Sequence, residues 1–316
     1  MAHTVAVTGA SGFVGRSLTN HLRDRELAVR AVGRAGRAGQ SVAATEFVAV
    51  ESLTPEPLAA AFDGCDAIVH LAAHIPRDHR DPAEATRCLE VNATGTLAVL
   101  QAAVSAGVGH VVYASSANAY RPDLEQAGEA DALYPDGHGC YYLTSKVAGE
   151  LYCSHAGATS QLTTTIVRLT SVYGPAMAQG FVRIAYDRLR GGDQLVVTDG
   201  GQQRADFVHV DDVAAGIAAV VEQGAGGAFN LGSGRSTTMS ELARLMACVL
   251  SVDPGQVVVE PPTGTLRRGF APVSINRARS MLGYAPRELR EGLGTLIADW
   301  DTASASGDEA TTGGAR

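Results

Sequence analysis

The sequence has no surplus of basic residues. Its 25 Lys and Arg against 33 Asp and Glu leave a formal charge of −8 over 316 residues. A duplex-binding surface needs clustered cations to neutralise phosphates, and no such cluster occurs, so nucleic acid is not an expected partner. Cysteine is scarce and odd in number. Cys65, Cys88, Cys140, Cys153 and Cys248 are scattered without disulfide-framework or zinc spacing, which suits a reducing cytoplasm. No apolar run reaches the ~18 residues that span a bilayer, and the opening residues enter a strand without a basic-then-apolar leader. A soluble, unexported protein with no membrane partner is therefore expected. The closest pair among nine histidines, in "HLAAH" (70–74), straddles a strand end and its loop with no acidic third ligand evident, so no metal is expected. There is no internal repeat.

What is present is a 46% hydrophobic composition and an alternation of short β-rich runs with longer helical ones. "HTVAVTG" (3–9), "FVGRSLTNHLRDR" (13–25), "LAVRAVG" (27–33), "EFVAV" (46–50), "PLAAAF" (57–62), "DAIVHLA" (66–72), a helical stretch over 82–106 and "HVVYAS" (110–115) follow one another. Strands interleaved with helices predict right-handed crossovers and a parallel sheet covered on both faces. The expected fold is α/β: a Rossmann-type doubly wound sheet over 1–174, to which 204–232 returns. A smaller C-terminal α/β substrate lobe takes 175–203 and 233–301, and beyond 175 helices are expected near 211–222, 238–250 and 288–300. The polar tail 302–316 reads as disordered.

"VAVTGASGFVG" places Gly9, Gly12 and Gly15 directly after a strand and at the opening of a helix. Glycines permit a tight turn and close approach of a diphosphate, while the helix start offers free N–H groups, so Gly9, Ser11, Gly12, Phe13, Val14 and Gly15 are the expected dinucleotide cradle. A packing turn is the plainer alternative. At the end of the second strand an acid would favour NAD, but "VRAVGRAGRAG" has Gly33 and Arg34 there and Arg37 beyond. Arginines suit a 2′-phosphate, so the cofactor is NAD or NADP with a lean to NADP. The alternative has Arg34 stacked on adenine or in solvent.

In "GHGCYYLTSKVAGE" (137–150) two tyrosines precede a lysine. Over a helix from 140 to 156, Tyr142 and Lys146 share a face at i,i+4, whereas Tyr141 does not. A neighbouring ammonium favours a phenolate and lowers a tyrosine toward a useful range. Ser116 in "YASSANAY" is placed to hold the same substrate oxygen, and Asn92 in "LEVNATGT" to anchor a water behind the lysine.

These blocks, with "HLAA", "VRLTSVYGP", "DFVHVDDVA" and "FNLGSG", run in order over residues 4–300. The chain resembles the extended short-chain dehydrogenases/reductases of the NAD-dependent epimerase/dehydratase family. The resemblance implies a catalytic Ser116, Tyr142 and Lys146 with Asn92 in support. Tyr142 then exchanges a proton with a sugar hydroxyl or ketone while nicotinamide exchanges a hydride with the same carbon. It further implies that Lys146 holds the nicotinamide ribose, that Leu71, Ala72 and Ala73 line the cofactor, that "TSVYG" passes near the carboxamide, and that the protein is a homodimer built on the Tyr/Lys helix. Asp211 and Asp212 read as helix-capping carboxylates rather than a catalytic pair.

Family dehydratases carry an acid pair after the active-site serine or threonine, and this chain has Ala117 and Asn118. Elimination of water then lacks its general acid. Substrate positions depart too: Ser171 stands for a usual asparagine and Ala205 for an arginine, with Arg204 one residue early and Arg267 or Arg268 as a substitute charge. Ser52 replaces an aspartate that commonly meets adenine. Tyr141, Ser116, Ser171, Arg204 and Arg268 are the expected substrate contacts. The resulting expectation is an epimerase acting at C4 of a nucleotide-linked sugar through a transient ketone. An NADP-dependent ketoreductase is the alternative, and a non-catalytic dinucleotide sensor is the reading from another class.

Overall fold

The computed structural model describes residues 3–37, 43–79, 81–135, 139–264 and 269–305. Arg267, Arg268 and the tail beyond Ala305 lie outside them. The first half alternates β1 (Thr4–Thr8), α1 (Phe13–Asp24), β2 (Ala28–Gly33), β3 (Glu46–Ala49), α2 (Pro55–Phe62), β4 (Ala67–His70), α3 (Pro82–Cys88), α4 (Gly95–Ser105), β5 (His110–Ser116), α5 (Cys140–Thr159) and β6 (Thr163–Leu169). The remainder contains β7 (Ser171–Tyr173), α6 (Phe181–Arg190), β8 (Leu195–Val197), β9 (Arg204–Ala205), β10 (Phe207–His209), α7 (Val210–Gln223) and β11 (Gly227–Leu231). It ends with β12 (Thr237–Thr238), α8 (Met239–Leu250), β13 (Val257–Val259), α9 (Asn276–Leu282) and α10 (Leu289–Ala305).

Seven strands form one parallel sheet in the order β11-β6-β5-β4-β1-β2-β3. All four residues of β4 and all seven of β5 are buried, as strands covered on both faces must be. One face packs against α1 and α7 through Leu18, Leu22, Val213 and Ile217; the other packs against α2, α4 and α5 through Leu58, Phe62, Val99 and Cys153. Strand order reverses between β1 and β4, and ligands of such sheets bind beyond the carboxyl ends of the strands at that point.

The stretch expected as one helix over 82–106 is three pieces. α3 and α4 are joined by a π-helical segment, Leu89–Thr94, which shifts the register and puts the buried Asn92 at the bulge. The second lobe has its own core, from Val182, Tyr186, Leu242, Met246, Leu293 and Trp300. Its α6 was not evident in the sequence. The chain also comes back to the first domain a second time: Val273, Ile275, Ala278, Leu282 and Tyr284 are buried in its core, with α9 packed on α7 and β11. Thr302–Ala305 are the last turn of α10 and not part of a disordered tail; Thr302 and Ser304 hydroxyls donate back to the Ala298 and Trp300 carbonyls.

Asp211 and Asp212 are not caps. His209 caps α7, accepting from the Asp211 N–H, while Asp211 accepts from Ser17 Oγ at 2.6 Å and Asp212 holds Arg287 through Nε at 3.0 Å. The two carboxylates tie α7 to α1 and to the segment before α10.

Candidate active site

The glycine turn leaves β1 with Gly9 in the left-handed region (φ +76), and a Cβ there would stand 2.7 Å from the Ala72 nitrogen. At Gly15 a Cβ would meet the Gly9 carbonyl at 2.2 Å. The turn is therefore open to no other residue type, and it brings the start of α1, with no side-chain cap on its N–H groups, to a cavity of about 720 Å³. That cavity is walled by Gly9–Gly12 and by Arg34, Phe47 and Leu58 from one side, and by Leu71–His74 with Arg87, Glu90 and Val91 from the other. Free N–H groups, a helix start and a long apolar-walled slot fit a dinucleotide. Arg34 is exposed at the slot's edge, and Ser52 bonds Thr54 instead of reaching in. Among the described residues no group of His, Cys, Asp and Glu is arranged to hold a metal, and no helix is long and apolar enough to cross a membrane.

Ser116 ends β5, 5% exposed, with its oxygen accepting from the Asn118 N–H at 3.3 Å. Tyr142 and Lys146 lie one turn apart in the first half of α5. Desolvation, with Cys88 beneath, pushes the Tyr142 phenol up to about 12, so in the protein alone it is a proton donor. The lysine does not lower it as the helical spacing suggested. Instead the Lys146 ammonium lies 4.4 Å over the Tyr113 ring, 2% exposed, and burial lowers it to about 8. Tyr113 is in turn stacked with His70. Burial and the neighbouring Lys146 charge take His70 down to about 3, so it is neutral and bridges Thr8 Oγ1 at 2.7 Å and Thr96 Oγ1 at 3.1 Å.

The Asn92 side chain bonds protein groups on two elements. Its Nδ2 donates to the His74 carbonyl and to Ser145 Oγ, both at 2.9 Å, and its Oδ1 accepts from the His74 N–H at 2.7 Å. Ser145 Oγ donates to the Tyr142 carbonyl at 2.7 Å. The loop after β4, the π-helical segment and α5 are thereby locked together. His70, Tyr113 and Asn92 are polar groups inside otherwise apolar packing, and in "AIVHLA" the lone histidine of a buried run was the one legible sign of this network. Tyr141 is 38% exposed on the outside of α5. Of the expected substrate residues, Arg268 lies outside the described residues and the others do not line the dinucleotide cavity. Arg204 lines a separate cavity of about 440 Å³ with Asp123, Glu125, Gln202 and Phe270, and Ser171 sits on β7 with its N–H donating to the Asp206 carbonyl.

The family model of the NAD dependent epimerase/dehydratase family matches residues 5–232. The chain belongs to that family. Within it, UDP-glucose 4-epimerase of Mycolicibacterium smegmatis is 31% identical over 311 residues, covering 92% of this chain and 96% of the relative. GDP-6-deoxy-D-mannose reductase of Pseudomonas aeruginosa is 29% identical over 326 residues, covering 96% and 98%. The structure of MoeE5 in complex with UDP-glucuronic acid and NAD superposes with a TM-score of 0.82 at 27% identity, over 95% of this chain and 99% of that one. Epimerase/dehydratase relatives of this kind are NAD-dependent enzymes of nucleotide-sugar epimerisation, dehydration and reduction, and the seven-stranded sheet described above is their Rossmann-like fold.

Proposed function

We propose that this protein is a nucleotide-sugar 4-epimerase. The observation that supports the reading is the placement of Ser116 at the carboxyl end of β5 and of Tyr142 at the start of α5, with Ala117 and Asn118 where dehydration would need acids. When bound, the nicotinamide would take up the hydride of the sugar carbon and return it. Tyr142 moves the proton at the sugar oxygen, Ser116 holds that oxygen, and Lys146 reaches for the nicotinamide ribose from its bed on Tyr113. The 31% identical 4-epimerase and the nucleotide sugar bound by MoeE5 support the substrate class.

Arg34 at the slot's edge favours a second reading, an NADP-dependent ketoreductase, and the protonated Tyr142 suits reduction of a ketone. The purified protein separates them. Retained dinucleotide, with interconversion of UDP-glucose and UDP-galactose and no net redox change, supports the epimerase; an empty protein that consumes NADPH against a keto-sugar overturns it. In either case Tyr142→Phe is expected to abolish turnover and leave dinucleotide binding intact, while Tyr141→Phe has a small effect. Equal losses in both variants would remove Tyr142 from its role.

The protein is also proposed to be a homodimer through α4 and α5. Their exposed side chains include Leu97, Gln101, Val104, Leu151 and Tyr152 and no charged group, which is unusual for a face left in water.

A further inference from the structure

We infer that His74, held by Glu84, is a ligand contact that accepts a hydrogen bond from the nicotinamide-side ribose. The inference rests on the dinucleotide reading of the cavity. His74 is the last of the four residues after β4, Leu71–His74, that line the cavity wall. Its backbone is gripped on both sides by Asn92, whose amide also bonds Ser145, between Tyr142 and Lys146. His74 therefore belongs to the half of the cavity next to α5, away from the Arg34 and Phe47 end.

The side chain is fixed as firmly as the backbone. Nε2 is hydrogen-bonded to Glu84 Oε2 from the first turn of α3. A carboxylate accepts only, so Nε2 carries the proton and a neutral ring keeps its lone pair on Nδ1. Nε2 is the ring nitrogen engaged with the protein, and the side chain is 24% exposed in the cavity wall, which leaves Nδ1 the nitrogen to meet a ligand. An oriented acceptor in that place selects among the groups of a dinucleotide. Phosphate oxygens are acceptors and do not match it. Ribose hydroxyls are donors and do. Lys146 offers three donors and no acceptor, so the hydrogens of the ribose hydroxyls need a second partner, which Nδ1 supplies. Nothing in the sequence paired these residues, since Glu84 is ten positions away across a loop.

The test compares ADP-ribose with ADP, which lacks the terminal ribose, using calorimetric titration of the intact protein after any retained dinucleotide has been stripped from it. The wild type is expected to bind ADP-ribose more tightly than ADP. In His74→Phe, which keeps a ring of similar shape, that ratio is expected to fall about fivefold with ADP affinity unchanged. Glu84→Ala, which frees the ring, lowers the same ratio, whereas Glu84→Gln retains it because the amide oxygen still accepts from Nε2. A purely structural His74–Glu84 tether would lower the melting temperature in both His74→Phe and Glu84→Ala and leave the ratio alone. An unchanged ratio in His74→Phe, or an equal loss for ADP, overturns the inference. A wild type that binds neither ligand overturns the dinucleotide reading itself and this inference with it.

Discussion

Lys146 is the costliest residue in the site. Its ammonium is buried with an aromatic face in place of water, and its folded pKa of about 8 lies below the ordinary 10.5. For such a group the unfolded chain binds more protons between those values, so stability rises with pH through that window and burial carries its full cost, roughly 3 kcal/mol, at pH 7. Lys146→Met keeps the stem and removes the charge. It is expected to raise unfolding free energy in urea at pH 7 by about 1–3 kcal/mol, with the gain shrinking toward pH 10, and to abolish turnover. A variant less stable than wild type at pH 7 would show that Tyr113 and Glu150 solvate the ammonium better than desolvation suggests. Arg34 is the opposite case, exposed and unneeded by the fold. Arg34→Ala is expected to weaken NADP binding about tenfold and leave NAD binding unchanged, since a charge-assisted contact to the 2′-phosphate is worth about 1.5 kcal/mol. Equal titration curves for wild type and variant with NADP would place Arg34 in solvent.

Among the elements, α5 decides the geometry, and Gly149 sets its height over the sheet. A Cβ at Gly149 would stand 2.3 Å from the Tyr113 hydroxyl oxygen and 2.6 Å from the ring, while that hydroxyl donates to the Lys146 carbonyl at 3.2 Å. Gly149→Ala must push the helix outward, carrying Tyr142 and Lys146 with it. A shift near 1 Å is expected to lower kcat about 100-fold, read in steady-state kinetics, with circular dichroism of the variant still native. Wild-type kcat in this variant would show that α5 is not fixed by this contact. The sequence revealed β1–β5 and α5 because buried parallel strands and a strand-turn-helix glycine motif leave local marks. It hid the π-helical segment, since a one-residue slip in hydrogen bonding changes no composition. It hid α6 too, because "FVRIAYDRLR" is flanked by glycines that read as loop. The spacing of Tyr142 and Lys146 was legible, but where the ammonium goes was not: helical periodicity gives a face, and only packing places Tyr113 beneath it.

For the whole molecule, the uncharged α4/α5 face predicts association. Wild type is expected to sediment at twice the chain mass at micromolar concentration, and Leu97→Glu with Leu151→Arg to sediment as a monomer. A wild-type monomer would leave the face to another role. The path of the chain adds a different constraint. β6 is complete at Leu169, yet its outer edge is covered only by β11, and the core beneath waits for Val273–Tyr284. Synthesis from the ribosome therefore exposes an unpaired, apolar strand edge from Thr170 until β11 is made, and leaves the core beneath open until Val273–Tyr284 follow, a state prone to wrong pairing. A shortened chain ending near Gly174 has the proposed catalytic residues but not this cover. The boundary between the lobes is thus a division of labour in the finished enzyme and not a place where the polypeptide can be cut, and the slow step of its folding is set by how long the last strand takes to come home.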